Sequence, residues 1–463
     1  MKPALEELGN RTQNIATSER LVDFVLSAEY DDLSSEAIDF IKIYLMDSLA
    51  VGVAGLCSPG ADIVLKSSES WGQGDQARII GRPGLRKPAA TAAYIIGYQI
   101  HALEWDGLHE ESVVIAMCVA ISALMAEAEQ NPVSGKDFTT ALAVAVEVAV
   151  TLGWGSETAP RFFRPAVAGL MGAAMGLAKL RGFDKAKTHE TLGLAYSQAS
   201  GTMQAHWEGE MMLAIQVGVG ARAAIYAVDM AEAGAQAPKD VLLGKFGFYT
   251  LFETAENIDT YLDKMGKPWA ITGVAHKPFP AGRATQSVLT MFQEIFAKRD
   301  LDPANIDEII VRVPPLIMLL VGRPLTVAMT ASYARLCLKF IGPMMLLNRE
   351  IDPRLFPNRT PPPDDIKALG EKFNIQLNDI EDPNALGPQS MTIRMKDGTE
   401  INSDCDIAYG SPGNRMQRPA REQKVKKCFE VGGYKRDPQE LIEIIENLTE
   451  LKDVRDLFST VCE

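Results

Sequence analysis

The chain has 463 residues, 47% of them hydrophobic, and carries a formal net charge of −14 at pH 7. A chain of this length and apolar content can bury a large core and is expected to form about two or three domains. The acidic balance argues against a nucleic-acid backbone as partner, because phosphate binding draws on a basic surface. A small anionic substrate remains compatible, since one or two local arginines can hold a carboxylate.

The cysteine pattern and the N-terminal sequence indicate where the protein resides. Six cysteines are scattered along the chain without a CxxC pair, which favours free thiols in a reducing compartment over a disulfide framework. The first 20 residues are polar and contain no apolar segment of the secretory type. The longest apolar runs, residues 113–126 and 141–150, are shorter than the roughly 18–20 residues that cross a bilayer, so we interpret them as buried helices. We therefore expect a cytoplasmic protein with no membrane partner.

The first part of the chain, from Leu21 to about Thr254, is rich in Ala, Leu, Val and Met at helical spacing. Glycines and short polar turns interrupt this pattern. Ser134 is placed to cap the N-terminus of a helix that contains residues 141–150, which are apolar nearly all round, as in a helix buried in a bundle. The pattern predicts an all-helical domain over residues 1–270.

The amino-acid composition changes around Lys277, after which prolines become frequent. Residues 309–313 are isoleucine and valine except for Arg312 and precede two prolines, which predicts a strand that ends there. Residues 391–401 alternate on both sides of a Lys-Asp-Gly turn, which predicts a β-hairpin. We expect an α+β lid domain over residues 271–403. The predicted fold class is mainly α, a large all-helical domain plus a smaller α+β lid domain.

The C-terminal segment, residues 404–463, begins with a predicted loop. A charged helix pattern then runs from Asp437 to the C-terminus, with isoleucines and leucines on one side. An apolar side of this kind needs a partner, so we expect this segment to return to the helical domain. We interpret the basic residues 421–427 as a solvated helix face.

Residues 101–111 hold two of the five histidines together with several carboxylates. Imidazoles and carboxylates between apolar stretches are suited to proton transfer, because burial shifts their pKa values. We predict Asp106 and His109 as catalytic proton-transfer groups and Glu104 as a substrate-binding residue. An acidic loop that only caps a helix is the structural alternative.

Two basic segments are candidates for holding a carboxylate. Lys277 and Arg283 lie in a segment that two prolines stiffen, and a stiff irregular loop can present cations to an anion. Arg164 precedes Pro165 at a predicted helix N-terminus, whose positive end adds to an anion site. We predict Lys277 as catalytic and Arg164 and Arg283 as substrate-binding. The alternative is that these charges are solvated in a linker and a turn.

The sequence predicts neither a metal nor a cofactor. Neither HExxH nor a Cys/His ligand spacing is present, and the carboxylates of residues 104–111 indicate a hard-cation site only weakly. Phosphate-binding glycine motifs of the GxxxxGK[ST] and GxGxxG types are also missing.

In its order of segments, the chain resembles the MmgE/PrpD family over nearly its whole length. The segments that carry the resemblance are residues 45–50, 103–106, 164–174, 193–201, 244–248 and 277–280. The resemblance implies a helical domain with an α+β lid, a site in the cleft between them, a homodimer, and cofactor-independent chemistry on a small carboxylic acid. It also implies that Glu104, Asp106 and Lys277 keep site positions of the family.

Four positions depart from the family pattern, in which they are histidines or a lysine. They are Ile115, Arg164, Leu213 and Gln286. Isoleucine and leucine can neither transfer a proton nor pair with a carboxylate. The departures therefore predict a more apolar pocket and a less charged substrate.

These observations favour a lyase that removes a proton α to a carbonyl or carboxylate, with Lys277 or Arg164 stabilising the charge that develops. An isomerase or epimerase is the first alternative, because reprotonation of the same carbanion needs fewer catalytic groups. The second alternative is a non-catalytic binding or assembly protein that keeps the fold after losing catalytic groups.

Overall fold

The computed structural model describes residues 15–255 and 258–463. The expectation for the extreme N-terminus, that it carries no secretory segment, falls mostly on residues 1–14 and lies outside the described residues. The helices are Ala16–Ser27 (α1), Ser35–Ala54 (α2), Ala61–Ser67 (α3), Ala89–His101 (α4), Ala116–Ala128 (α5), Gly135–Trp154 (α6), Arg164–Leu180 (α7), Lys185–Tyr196 (α8), Gln204–Glu208 (α9), Met212–Glu232 (α10), Phe248–Leu251 (α11), Ile258–Leu262 (α12), Gln286–Lys298 (α13), Pro315–Val321 (α14), Ala331–Arg335 (α15), Leu338–Asn348 (α16), Asp364–Gly370 (α17), Arg418–Gly432 (α18), Pro438–Glu446 (α19) and Arg455–Cys462 (α20). The strands are Ala77–Arg78 (β1), Arg86–Lys87 (β2), Leu108–His109 (β3), Val274–Ala275 (β4), Ile306–Val313 (β5), Phe373–Leu377 (β6), Gln389–Met395 (β7) and Glu400–Cys405 (β8).

The N-terminal part of the chain is a bundle of helices around one large apolar core. The Ser134 hydroxyl accepts a hydrogen bond from the Asp137 backbone N–H, which confirms the predicted cap of α6. Helix α6 is buried along nearly its whole length, and α7 packs against it. The close approach is made by small residues, since a Cβ on Gly172 would lie 2.3 Å from the carbonyl oxygen of Ala145.

The second part of the chain builds a separate apolar core on a four-stranded sheet in the order β6-β5-β7-β8. Strand β5 is parallel to β6 and antiparallel to β7, and β7 and β8 form the predicted hairpin. Gly398 in its turn has a φ of 88°, a conformation that glycine adopts without strain. Met391 and Ile393 alternate inward from β7 onto this core. The mainly α fold class with a smaller α+β part is thus confirmed.

The C-terminal segment packs against the helical bundle through α18, α19 and α20. The expectation of one helix from Asp437 onward is wrong, because α19 ends at Glu446 and α20 begins at Arg455. The break has a tertiary cause: Leu451 accepts a backbone hydrogen bond from Gly135, and the Val454 N–H donates to Val133, which ties the connection to the start of α6.

The prediction that the basic residues of α18 are solvated is wrong for Lys424. Lys424 is buried, and its ammonium lies 2.7 Å from Asp47 on α2. The same ammonium donates to the backbone oxygen of Trp105 at 2.9 Å. A buried ammonium needs such partners, because desolvation disfavours an unpaired charge.

Within residues 15–255 and 258–463, three helical stretches are long and apolar enough to cross a membrane by length and composition alone. They are Ser35–Cys57 (α2 with the 3-10 turn that follows it), Gly135–Trp154 and Met212–Glu232. The expectation that no apolar segment is long enough to cross a bilayer is therefore wrong. It rests on uninterrupted apolar runs such as residues 141–150, whereas the helix that contains this run, α6, extends beyond it at both ends. Between 67% and 89% of the residues in each apolar window are buried inside the protein.

The contact between α6 and α7 generates a stability prediction. Gly172→Ala places a methyl group against the Ala145 carbonyl oxygen, so we expect a net loss of about 1–3 kcal/mol in urea unfolding despite the better helix propensity of alanine. Gly169→Ala is the matched control on the same helix, because its Cβ meets the Val119 side chain at 3.1 Å, which can shift. Equal stabilities of the two variants would contradict this packing.

Candidate active site

A short two-stranded sheet brings the two chemically promising segments together. Strand β3 pairs antiparallel with β4, with Leu108 opposite Ala275 and His109 opposite Val274. The indole N–H of Trp105 donates to the backbone oxygen of Pro278 at 3.1 Å. The loop after α4 and the proline-rich loop after β4 are therefore fixed side by side, although about 170 residues separate them in sequence.

Four side chains from these segments form a buried charge cluster: His101, Glu104, Asp106 and Lys277. The Lys277 ammonium donates to a Glu104 oxygen at 3.1 Å and lies 3.7 Å from Asp106 Oδ1. The Nδ1 of His101 lies 3.1 and 3.0 Å from the two Asp106 oxygens, and its Nε2 lies 3.2 Å from Glu104 Oε1. Each positive group thus faces both carboxylates.

The charges in the cluster hold one another ionised. Burial alone disfavours the imidazolium of His101, but Asp106 and Glu104 outweigh it and raise its pKa from 6.5 to about 10. Burial likewise disfavours both carboxylates, but Lys277 and His101 lower the pKa of Glu104 and of Asp106 below their ordinary values. The shifts of His101, Glu104 and Asp106 all favour the charged forms, so the cluster is held together as ion pairs.

Glu104 and Lys277 of the charge cluster line a cavity between the helical bundle and the α+β part. About 650 Å³ of empty space lies between the residues that line it, with the open solvent at its mouth included. Most of its wall is aliphatic or aromatic and comes from both parts of the chain. The apolar lining residues include Leu108, Ile115, Phe163, Met203, Leu320 and Leu336.

The two predicted substrate-binding arginines also line this cavity, but each is already paired. The Arg164 guanidinium donates to both carboxylate oxygens of Glu253, at 2.8 and 3.2 Å, and to two backbone carbonyls. The Arg283 guanidinium lies 2.6 Å from Glu110 and donates to the His276 backbone oxygen at 3.0 Å and to the Ser411 hydroxyl. Both arginines therefore shape the wall as neutralised ion pairs.

His109 is not brought to the charge cluster. Successive side chains of a strand point to opposite sides, so Leu108 faces the cavity while His109 packs edge-on against Trp154 and lines a separate depression. Burial lowers the pKa of His109 to about 4, and its Nδ1 lies 3.1 Å from the Ser112 hydroxyl. The imidazole is thus neutral at physiological pH and held by a neighbour three residues away.

Sequence reasoning missed His206, which lines the cavity from α9. Burial, and then the Arg323 guanidinium, lower its pKa to about 4, so the imidazole is neutral. Arg323 donates to its Nδ1 at 3.3 Å, which leaves the ring proton on Nε2. No motif surrounds His206, and only its being one of five histidines could have drawn attention to it. His101 was noted within the cluster of residues 101–111 but not assigned a role.

The positions that depart from the family pattern have distinct surroundings. Ile115 lines the cavity directly, whereas Leu213 is buried at the start of α10. The Gln286 amide donates to the backbone oxygens of Phe279 and Ala281 at 3.1 and 3.0 Å. Gln286 therefore holds the shape of the proline-rich loop that carries Lys277.

Two residues of the cavity wall have strained backbones. Glu104 has a φ of 54° and Val113 a φ of 53°, a region that costs side-chain-bearing residues about 1–3 kcal/mol. For Val113 the branched Cβ makes this conformation rarer still. Strain of this kind persists only where surrounding contacts fix it, and here it orients the Glu104 carboxylate towards Lys277.

His101, Asp106 and Cys118 present one potential metal-ligand atom each within 4.8 Å of one another. Their chemistry does not suit a cation, because a protonated imidazole has no lone pair to donate. The ammonium of Lys277 also stands 3.7 Å from Asp106, where its charge repels a metal ion. These donors are better described as part of an ion-pair cluster.

A helical bundle and an α+β part that enclose an apolar cavity, with a buried ion pair in its wall, define a small-molecule site of the enzyme type. The chain belongs to the MmgE/PrpD family: the MmgE/PrpD N-terminal domain matches residues 19–260, and the MmgE/PrpD C-terminal domain matches residues 279–451.

Curated relatives in this family carry a common description. The chain is 25% identical to the cis-aconitate decarboxylase of Mus musculus, covering 95% of this chain and 92% of the relative. It is 24% identical to the cis-aconitate decarboxylase of Homo sapiens, with coverages of 91% and 89%. A cis-aconitate decarboxylase-like protein of Aspergillus oryzae is 28% identical over 56% of this chain and 57% of its own length.

The charge cluster generates a prediction for His101. We expect its imidazole to remain protonated at pH 8 in histidine-labelled NMR spectra, because the two carboxylates hold its pKa near 10. Asp106→Asn removes one carboxylate charge and should lower that pKa by at least about one unit. Glu253→Gln, which alters a buried carboxylate paired with Arg164, is the matched control and should leave the His101 titration unchanged. A His101 that titrates near pH 6.5 would contradict the cluster.

Proposed function

We propose that this protein is a lyase that acts on a small carboxylic acid through a carbanion formed next to a carbonyl or carboxylate. The Lys277–Glu104 ion pair in the wall of the apolar cavity carries this proposal, because it offers a proton donor and a proton acceptor side by side. The full-length similarity to cis-aconitate decarboxylases supports the same class of reaction.

Lys277 is the group that stabilises the developing charge. An ammonium has three N–H donors, and Glu104 and Asp106 occupy at most two of them. In this proposal the third donates to a substrate carboxylate or carbonyl bound in the cavity that Lys277 lines. As the carbanion forms, negative charge moves onto that oxygen, and an ammonium already in place stabilises it without reorganisation.

Glu104 is the proton acceptor in this proposal. In the resting protein Lys277 and His101 lower its pKa, which makes it a weak base. A substrate carboxylate bound at Lys277 places a like charge nearby and raises that pKa again, so basicity increases when substrate is present. The carboxylate takes the α-proton, the bond to the leaving group breaks, and the proton held on Glu104 passes to the departing group.

Asp106 and His101 act behind this pair as positioning residues. Both are buried behind Glu104 and Lys277, and their ion pair fixes where the two cavity-facing groups point. The proton-transfer role that the sequence suggested for Asp106 is therefore assigned to Glu104. His109 has no part in this proposal, since it faces the depression beside Trp154.

Substitution of the ion pair tests the proposal. With an acid that the unaltered protein consumes, Lys277→Met and Glu104→Gln should each lower kcat by at least about 100-fold, because each removes a group that acts on the reacting atoms. Lys179→Met is the control: Lys179 is ion-paired with Glu29 at the outer end of α7, and its loss should leave kcat essentially unchanged. Circular dichroism establishes that all three variants are folded.

Other outcomes separate the alternatives. Full activity of both ion-pair variants would overturn the assignment of roles. Deuterium gained from solvent by recovered substrate, with no elimination or decarboxylation product, would instead identify an isomerase or epimerase. Thermal stabilisation by small acids without turnover of any acid would identify a binding protein.

A further inference from the structure

We propose that Lys424 is a positioning residue for the reaction, acting through Trp105, the residue that joins the two carboxylates of the charge cluster. Lys424 belongs to α18 in the C-terminal segment. The inference rests on the proposed function, because it gives Lys424 the task of keeping the Glu104 carboxylate beside Lys277.

The Lys424 ammonium contacts both the backbone and the ring of Trp105. Its Nζ donates to the Trp105 backbone oxygen at 2.9 Å and lies 5.5 Å from the centroid of the indole ring, within the range of a cation–π interaction. Asp47 on α2 lies 2.7 Å from the same ammonium and compensates its charge. Lys424 is 5% exposed and Trp105 is 3% exposed, so bulk water does not readily replace this donor.

Trp105 stands between the two carboxylates in sequence, so its backbone determines where they point. Glu104 precedes it with a φ of 54°, a conformation that residues with a side chain rarely adopt. Such a conformation persists only where surrounding contacts fix it. Lys424 fixes the Trp105 backbone oxygen, and the indole N–H is fixed on Pro278, the residue after Lys277. Trp105 is therefore held at its backbone and at its ring, which maintains the strained conformation next to it.

The C-terminal segment also holds the strand that leads to Lys277. Arg415 donates to the backbone oxygen of Thr272, just before β4. The backbone N–H of His276, just after β4, donates to the backbone oxygen of Gly410 at 2.9 Å. Both halves of the charge cluster are thus tied to the segment that carries α18.

Loss of the Lys424 donor has a definite consequence for the cluster. The Trp105 carbonyl would become a buried acceptor without its hydrogen bond, which is unfavourable. Rotation of the peptide relieves this and also the strain at Glu104, but it turns the Glu104 carboxylate away from Lys277 and His101. The His101 imidazolium then loses part of the negative charge that stabilises it.

A double variant, Lys424→Met with Asp47→Asn, tests the inference by kinetics. It removes the donor to Trp105 without leaving a buried carboxylate unpaired, so we expect it to fold. With an acid that the unaltered protein consumes, kcat should fall by about 10- to 100-fold with little change in KM, because a misplaced Glu104 fails in the reacting geometry rather than in binding. Lys427→Met is the control, since this partly exposed lysine three residues further along α18 pairs with Glu430 on the same helix. It should leave kcat unchanged.

The titration of His101 is a second measurement that needs no turnover. In histidine-labelled NMR spectra, the double variant should lower the pKa of His101 by about one unit, since the Glu104 carboxylate moves away from the imidazole. The Lys427→Met control should leave this titration unchanged. A merely structural role for Lys424 would not move the pKa of a residue that it does not touch in a variant that remains folded.

Either an unchanged kcat or an unchanged His101 titration in the folded double variant would overturn the inference. A double variant that does not fold would overturn it as well, because Lys424 would then serve folding rather than positioning. Failure of the proposed function gives a different result. If the unaltered protein consumes no acid, the lyase proposal fails, while the His101 titration still decides whether Lys424 positions the charge cluster.

Discussion

The site depends on one constraint, which is that four charged groups are buried together and must neutralise one another. His101, Glu104, Asp106 and Lys277 are each at most 8% exposed, and removing either carboxylate leaves the buried cluster with one positive charge in excess. The β3–β4 pairing and the Trp105–Pro278 hydrogen bond bring the two halves of this cluster together. The positions of the helical bundle and the α+β part are therefore coupled to the same ion pairs that face the cavity.

Much of the fold follows from short-range patterns, whereas the site does not. The Ser134 cap and the β7–β8 hairpin are local, so spacing and turn residues were enough to predict them. Lys277 and Glu104 could be singled out by residue type, but their contact depends on a strand pairing between distant segments. The prediction for His109 illustrates the limit, because proximity to Asp106 in sequence says nothing about which side of β3 the imidazole occupies.

The residues that depart from the family pattern have different structural roles at the site. Ile115 changes the cavity wall itself, while Gln286 has a structural use in holding the loop of Lys277. Arg164, in place of the family's histidine, is neutralised by Glu253 and adds no net charge to the wall. The chain thus places a carboxylate–ammonium pair in a largely apolar wall.

A crystal structure with a bound small carboxylic acid tests the account most directly. It should show the carboxylate of the acid within hydrogen-bonding distance of Lys277 Nζ, its α-carbon beside the Glu104 carboxylate, and its carbon chain against Ile115 and Phe163. An acid bound instead in the depression beside His109 and Trp154, with the Lys277–Glu104 pair untouched, would contradict the account.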